Sequence, residues 1–294
     1  MLLLAIPFVT AGSAGVSRVG VPAIAAPSHA SCTHRKKLRQ HARALSDVRE
    51  VLFIRHGQSL ANVAVDSNAY DASSSRYADA PLTDLGRSQA SAWEEIAPSW
   101  EVEEVLCSPL IRAIETSACI FSQTHETPIR IIPYACEGWW EEACNRGRSS
   151  LEAVMTGTAT GAVGEAKRWP ALSELGIEDR LLGLETVFSE TVCRKVLDPH
   201  GETELATGGP WGEGVLDPRW EANVLQNQIL VSPARRIAVV CHWGVIDKLF
   251  EVDSPNCGVL RTWWWKDADG AVRSAKASSM PIPPPSQGFE GEGI

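Results

Sequence analysis

Four short stretches of this chain carry residue types that could do chemistry together. Arg55-His56-Gly57 follows the apolar run Val51-Leu52-Phe53-Ile54, Glu137 follows the run that starts at Ile129, and His242 follows Ile237 to Cys241. Arg112 stands four residues after Ser108-Pro109, at the start of an apolar helical pattern. An imidazole can attack an electrophile through its unprotonated nitrogen. A guanidinium presents a planar fork of donors that matches phosphate oxygens. A carboxyl group can give and take a proton. A phosphate monoester, with about two negative charges near neutral pH, is a substrate on which all three would have work.

The elements that must position these residues read as an alternation of strands and helices. Val51–Ile54 is a buried, parallel-type strand. Residues 63–81 are polar and Ser/Ala-rich, so they read as a loop. The pattern predicts a helix from Thr83 to Ile96, with Leu85, Gln89, Trp93 and Ile96 on one face. Val102–Cys107 is a second strand. Ser108-Pro109 then opens a helix, Ser as N-cap and Pro at the first helical position, with Leu110, Ile114, Ala118 and Phe121 as its apolar stripe. Ile129–Tyr134 is a third strand. Residues 143–217, rich in Gly, Thr and Glu, read as an insertion over the site. Asp217-Pro218 opens a helix that runs to about Ile229, Ile237–Cys241 is a strand, and Val259–Trp265 is the last strand before the Asp269-Gly270 turn. The expected fold is α/β, a three-layer α/β/α sandwich around a mostly parallel sheet. Ligands bind such sheets at the carboxyl ends of the strands, which is where Arg55, His56, Glu137 and His242 fall.

The motifs R-H-G-Q-S-L-A-N at 55–62, S-P-L-I-R-A-I-E-T at 108–116 and V-V-C-H-W-G at 239–244 resemble the histidine phosphatase superfamily, also called the phosphoglycerate mutase-like family. Their order and spacing match. P-L-T-D-L-G-R-S-Q-A at 81–90 resembles the helix that follows the family's first loop, and C-E-G-W-W-E-E-A-C-N-R at 136–146 resembles a branch common in plants and fungi. The resemblance spans about residues 48–266. It implies a histidine phosphatase-like fold in which His56 is the nucleophile and Arg55, Arg112 and His242 cancel charge on the phosphoryl oxygens. It further implies Glu137 as general acid, with Glu141 and Glu142 as competitors, and Ser59 and Asn62 lining the phosphate loop, where Ser59 could equally do no more than hold that loop. Gly57 would allow close backbone approach, and the helix after Ser108 would turn its positive end toward the phosphate. Trp139, Trp140 and Trp243 flank site residues and are candidate pocket walls.

Three departures bear on the activity. Asn145 stands where the plant-like branch has Asp, Leu60-Ala61-Asn62 stands where dedicated mutases have Trp-Asn, and their longer acid-loop pattern is absent. The expectation is therefore a metal-independent phosphomonoesterase on a small phosphorylated metabolite, with no cofactor. A phosphoglycerate mutase and a catalytically silent binding protein of the same fold are the alternatives.

Composition suits a soluble globular protein. The chain has 294 residues, 44% hydrophobic and 21% charged, and no apolar run reaches the ~18 residues of a membrane span. Residues 1–46 hold six basic residues and no acid; the remainder has 21 basic against 36 acidic residues, a charge of −15. So acidic a body speaks against nucleic acid as partner. The N-terminus, apolar at MLLLAIPFV and basic thereafter, reads as a two-part address to an organelle such as a plastid, or as an uncleaved extension of a cytoplasmic protein. None of the eight cysteines forms a CxxC pair, so they read as buried thiols of a reducing compartment. The division expected is an extension over 1–46, a catalytic domain over 47–266 with its insertion at 143–217, and a disordered tail over 267–294.

Overall fold

A computed structural model describes residues 48–71, 74, 77–137, 143–145, 172–184, 222–267 and 269–284. Seven strands form one sheet: β1 (Arg49–Arg55), β2 (Glu104–Cys107), β3 (Ile129–Ile131), β4 (Leu181–Leu182), β5 (Arg236–Cys241), β6 (Val259–Lys266) and β7 (Val272–Ser279), in the order β4-β3-β2-β5-β1-β6-β7. The first five in that order run parallel, and β6 and β7 are antiparallel to their neighbours. Among the described residues the helices of eight or more residues are α2 (Asp84–Ser91), α3 (Ile111–Ile120), α5 (Ala222–Val231) and α6 (Trp243–Phe250); α1 (Leu60–Asp66) and α4 (Leu172–Leu175) are shorter.

The three layers follow from the period-two alternation of side chains along each strand. Leu52 and Ile54 of β1 join Val105, Cys107, Ala238 and Val240 in a core with α3, Trp93, Trp100 and Phe121. Val51 and Phe53 face the other way, into a core with Ile237, Val239, Leu225, Ile246 and Phe250. Strands buried on both faces must be apolar throughout, which is why β1 and β5 read as continuous runs. Of the Trp263-Trp264-Trp265 run, Trp264 is the member fully inside. Its ring sits 6.0 Å from those of Phe53 and Phe250.

Several expectations need correction. Residues 63–66, read as loop, complete α1. Helix α2 ends at Ser91, and its buried positions are Gly86, Ser88 and Ala90, while Leu85 and Ile96 lie exposed. Helix α3 begins at Ile111 with Leu110, not Ser108, as N-cap, and every residue in it except Cys119 is buried. The third strand stops at Ile131, and Pro133–Ala135 form a 3-10 turn. The tail drawn from residue 267 contains β7, which pairs with β6 along the sheet edge. Most of 143–217 lies outside the described residues; within it Leu181–Leu182 are an edge strand on β3. Five of the six described cysteines are buried, and all six are free thiols.

The exposed Leu85 and buried Gly86 have one cause. Helix α2 presses its backbone against the loop after β1. A Cβ on Gly57 would stand 2.5 Å from Gly86 O, and one on Gly86 would overlap the Gln58 carbonyl. Alanine at 86 would gain up to ~1 kcal/mol of helix propensity, but both obstacles are backbone and cannot rotate away. Overpacking of this kind costs about 1–3 kcal/mol or more. Gly86→Ala is therefore expected to lower the melting temperature; an unchanged or higher value in calorimetry would show that the two backbones are not locked together.

Candidate active site

The sheet order brings the site residues together. β2, β5 and β1 are adjacent, with Arg55 in register with Cys241 and Cys107 in register with Val240. The next residue of each strand is His56, Ser108 or His242. His56 N donates to Cys241 O (3.0 Å) and Ser108 N to Val240 O (3.0 Å), which carries the pairing one step past the strands. Three side chains thus emerge side by side at the carboxyl edge. The rings of His56 and His242 lie 5.0 Å apart.

His56 is 4% exposed. Its Nδ1 lies 2.7 Å from Gly57 O, and Nε2 lies 3.2 Å from Arg112 Nε. A carbonyl can only accept and a guanidinium can only donate, so the ring carries its proton on Nδ1 and its lone pair on Nε2. Burial, reinforced by the positive charges of Arg112 and Arg55, holds its pKa well below the ordinary histidine value. His242 is held low in the same way, by burial and then by Arg112, His56 and Arg55. Both rings are neutral at pH 7.

Arg112 reaches three acceptors from α3: His56 Nε2, Cys144 O (2.6 Å, from Nη1) and Asn145 Oδ1 (2.8 Å, from Nη2). Asn145, which departs from the plant-like pattern, is therefore a neutral partner of the arginine. Arg55 donates to Ser254 O (2.7 Å), and its buried Nε has no hydrogen-bond partner among the described residues. Glu137, 8% exposed, accepts from Gly244 N (3.2 Å) in the first turn of α6 and lies close enough to Arg55 to act on its charge. Trp243, 2.8 Å from Asp253 through its indole N–H, begins that helix. Trp139, Trp140, Glu141 and Glu142 lie outside the described residues.

The rest of the motifs hold the loop. Ser59 and Asn62 form a reciprocal capping box on α1, Asn62 N donating to Ser59 Oγ and Ser59 N to Asn62 Oδ1. Those bonds support the loop-holding alternative for Ser59. Thr116 Oγ1 accepts from Gly57 N (3.0 Å), Thr83 N donates to Gln58 O (2.9 Å), and Gln89 Oε1 accepts from Gln58 N (2.9 Å). Glu115 is buried under this lattice, bonded to Leu82 N and Arg87, and burial pushes its carboxyl up to about 7. The first-turn amide of α3 at Ile111 is occupied by the Asp79 carboxylate at 2.7 Å, so the helix end expected to face a phosphate already has an anion.

Sequence reasoning did not find Ser108 as a partner of His242, Asp79, or Asn256. Asn256 Nδ2 donates to His56 O (3.1 Å), and Cys257 N donates to the same oxygen (3.2 Å). Ser-Pro-Asn-Cys-Gly at 254–258 carries a turn composition, which marks a loop without marking its neighbour. Among the described residues no cluster of three or more His, Cys, Asp or Glu could hold a metal ion.

No curated protein matches the chain. Solved structures do, over most of its length. A mycobacterial glucosyl-3-phosphoglycerate phosphatase with VO3 shares 16% identity, covering 78% of this chain and 97% of its own, with a TM-score of 0.41. A putative α-ribazole-5′-P phosphatase from Escherichia coli shares 17%, covering 82% and 99%, at 0.41. A phosphoserine phosphatase mutant from Entamoeba histolytica in complex with phosphoserine shares 15%, covering 78% and 95%, at 0.39. The sequence profile of the histidine phosphatase superfamily (branch 1) matches residues 51–147. Those residues include Arg55, His56, Arg112 and Glu137, and over that stretch the chain is similar to this superfamily.

Proposed function

We propose that the chain is a metal-independent phosphomonoesterase that acts through phospho-His56 on a small phosphorylated metabolite. The observation that carries this reading is the fixed tautomer of His56: a neutral ring whose Nε2 lone pair lies against Arg112. When a phosphate ester enters, Arg112 Nε transfers its hydrogen bond from His56 Nε2 to a phosphoryl oxygen. That frees the lone pair next to the phosphorus. Nε2 attacks in line, the Nε2–P bond forms, and the ester P–O bond breaks. Arg55, Arg112 and His242 stabilise the charge on the equatorial oxygens. Glu137 donates the proton that the leaving alkoxide needs. Its carboxylate then takes a proton from water, which attacks phospho-His56 and releases inorganic phosphate and the restored imidazole.

Two guanidinium groups supply the positive charge for which many phosphatases recruit metal ions. Turnover of a panel of phosphorylated metabolites is therefore expected to be unaffected by EDTA and inhibited by vanadate, which adopts the five-coordinate geometry of the transferring phosphorus. Activity lost in EDTA and restored by a divalent ion would overturn the metal-independent assignment, and absence of hydrolysis across the panel would favour a silent binding protein.

A further inference from the structure

We propose that Ser108 is a positioning residue that sets the tautomer of His242, holding its single proton on Nδ1 and turning that N–H into a donor for the transferring phosphoryl group. The kinetic consequence rests on the proposed phosphoryl transfer; the tautomer itself does not.

The donors and acceptors around one buried hydroxyl decide where the proton of His242 sits. Ser108 and His242 are both 0% exposed. Ser108 Oγ lies 2.8 Å from His242 Nε2, accepts from Leu110 N at 3.3 Å, and lies 3.5 Å from Cys136 Sγ. A hydroxyl has one proton to give and two lone pairs to fill. Leu110 N–H fills the first lone pair. The hydroxyl proton then goes either to the imidazole nitrogen or to the sulfur. Imidazole nitrogen is the stronger acceptor and is 0.7 Å closer; thiol sulfur accepts weakly. Cys136, whose pKa burial pushes up to about 12, keeps its own proton and can give it to the second lone pair. All three positions on the hydroxyl are then used once.

With Nε2 accepting, a neutral His242 must carry its proton on Nδ1. That atom is buried and has no hydrogen-bond partner among the described residues. The charged and titratable groups acting on the ring are Arg112, His56 and Arg55, none of which offers Nδ1 an acceptor. A buried N–H without a partner is destabilising, a cost that an arriving oxyanion would remove. The other tautomer would set a lone pair against that oxyanion and lose both the attraction and the fit. Ser108 is fixed well enough for this task, because its own backbone N–H is tied to β5 through Val240 O.

The test is ¹⁵N NMR of the full chain with labelled histidine at pH 7, with the His242 signals identified by their loss in His242→Gln. The expected spectrum has His242 Nδ1 protonated and Nε2 as a hydrogen-bonded, unprotonated nitrogen. In Ser108→Ala the Nε2-protonated form should appear, and kcat on an alkyl phosphate should fall about tenfold, the size of one net hydrogen bond. Ser108→Thr, which keeps a hydroxyl, should restore the wild-type tautomer and most of kcat. A wild-type spectrum with the His242 proton on Nε2 overturns the proposal whether or not any variant folds, and so does an unchanged tautomer in a folded Ser108→Ala. Failure of the chain to hydrolyse phosphate esters would instead overturn the function and leave the tautomer assignment standing.

Discussion

His56→Ala is expected to abolish turnover and the acid-labile phosphoenzyme together. The ring is the nucleophile in the proposed mechanism, and none of the groups shown around it can replace it. Arg55 and Arg112 are cations. His242 is engaged through Nε2 by Ser108 at 2.8 Å, and burial keeps the nearby Cys136 and Cys241 as unreactive thiols. The measurement is incubation with ³²P-labelled substrate, acid quench and filter binding; labelled phosphate retained by His56→Ala would sink the assignment. The same ring sets the pH behaviour. Its pKa is depressed, by burial first and by Arg112 and Arg55 next, so protonation that would be half complete near 6.5 in a free histidine is deferred to more acid solution. kcat/KM reports the ionisations of the free enzyme. With an aryl phosphate, whose second ionisation lies below that of an alkyl ester, kcat/KM should hold level from pH 7.5 through 6.5 and fall only below it. An acid limb centred at the ordinary histidine value would contradict the burial and charge of the site. In stability the two rings act with the same sign: the unfolded chain takes up protons at His56 and His242 before the folded one does, so their contribution falls as pH drops from 6.5 toward their folded-state values, while Glu115, raised by burial, works in the opposite sense.

What the sequence discloses about this site depends on how each residue does its work. β1 and β5 are legible because a strand covered on both faces must be apolar at every position, and Val51–Ile54 and Ile237–Cys241 are. The residues just beyond them then fall at one sheet edge by topology alone. The hydrophobic pattern misplaces Leu85 because the close contact of α2 with the Arg-His-Gly loop is made by Gly86. Close approach of two backbones selects small residues, and hydrophobicity does not register them; the larger Leu85 is what remains for solvent. β7 resembles tail because Val272–Ser279, an outer strand with mostly exposed side chains, has no apolar alternation to reveal it. Ser108 reads as a helix cap because Ser-Pro has that local meaning. Its bond to His242, 134 residues away, depends on β2 and β5 being neighbours, and no local pattern contains that.

Glu137→Gln is expected to separate the two halves of the reaction. A general acid matters in proportion to the leaving group's need for a proton. A sugar or glycerate alkoxide is a strong base and cannot leave without one, whereas a nitrophenolate can. Hydrolysis of alkyl phosphates should therefore slow by the ~10²–10⁴-fold typical of general acid–base catalysis. Phosphorylation of His56 by nitrophenyl phosphate should slow far less. The second half differs, because water attacking phospho-His56 needs a base whatever the first leaving group was, and a carboxamide cannot serve as one. The variant should accumulate phosphoenzyme from nitrophenyl phosphate, seen as a burst of nitrophenolate equal to the enzyme concentration followed by a slow steady state. Glutamine keeps an oxygen for the Gly244 N–H that holds the wild-type carboxylate at 3.2 Å, so the start of α6, and with it His242, should stay in place. Stopped-flow measurements on both substrates decide the matter. Equal slowing of the first turnover on both would remove Glu137 as the acid and pass the role to Glu141 or Glu142, where the same substitution can be read in the same way.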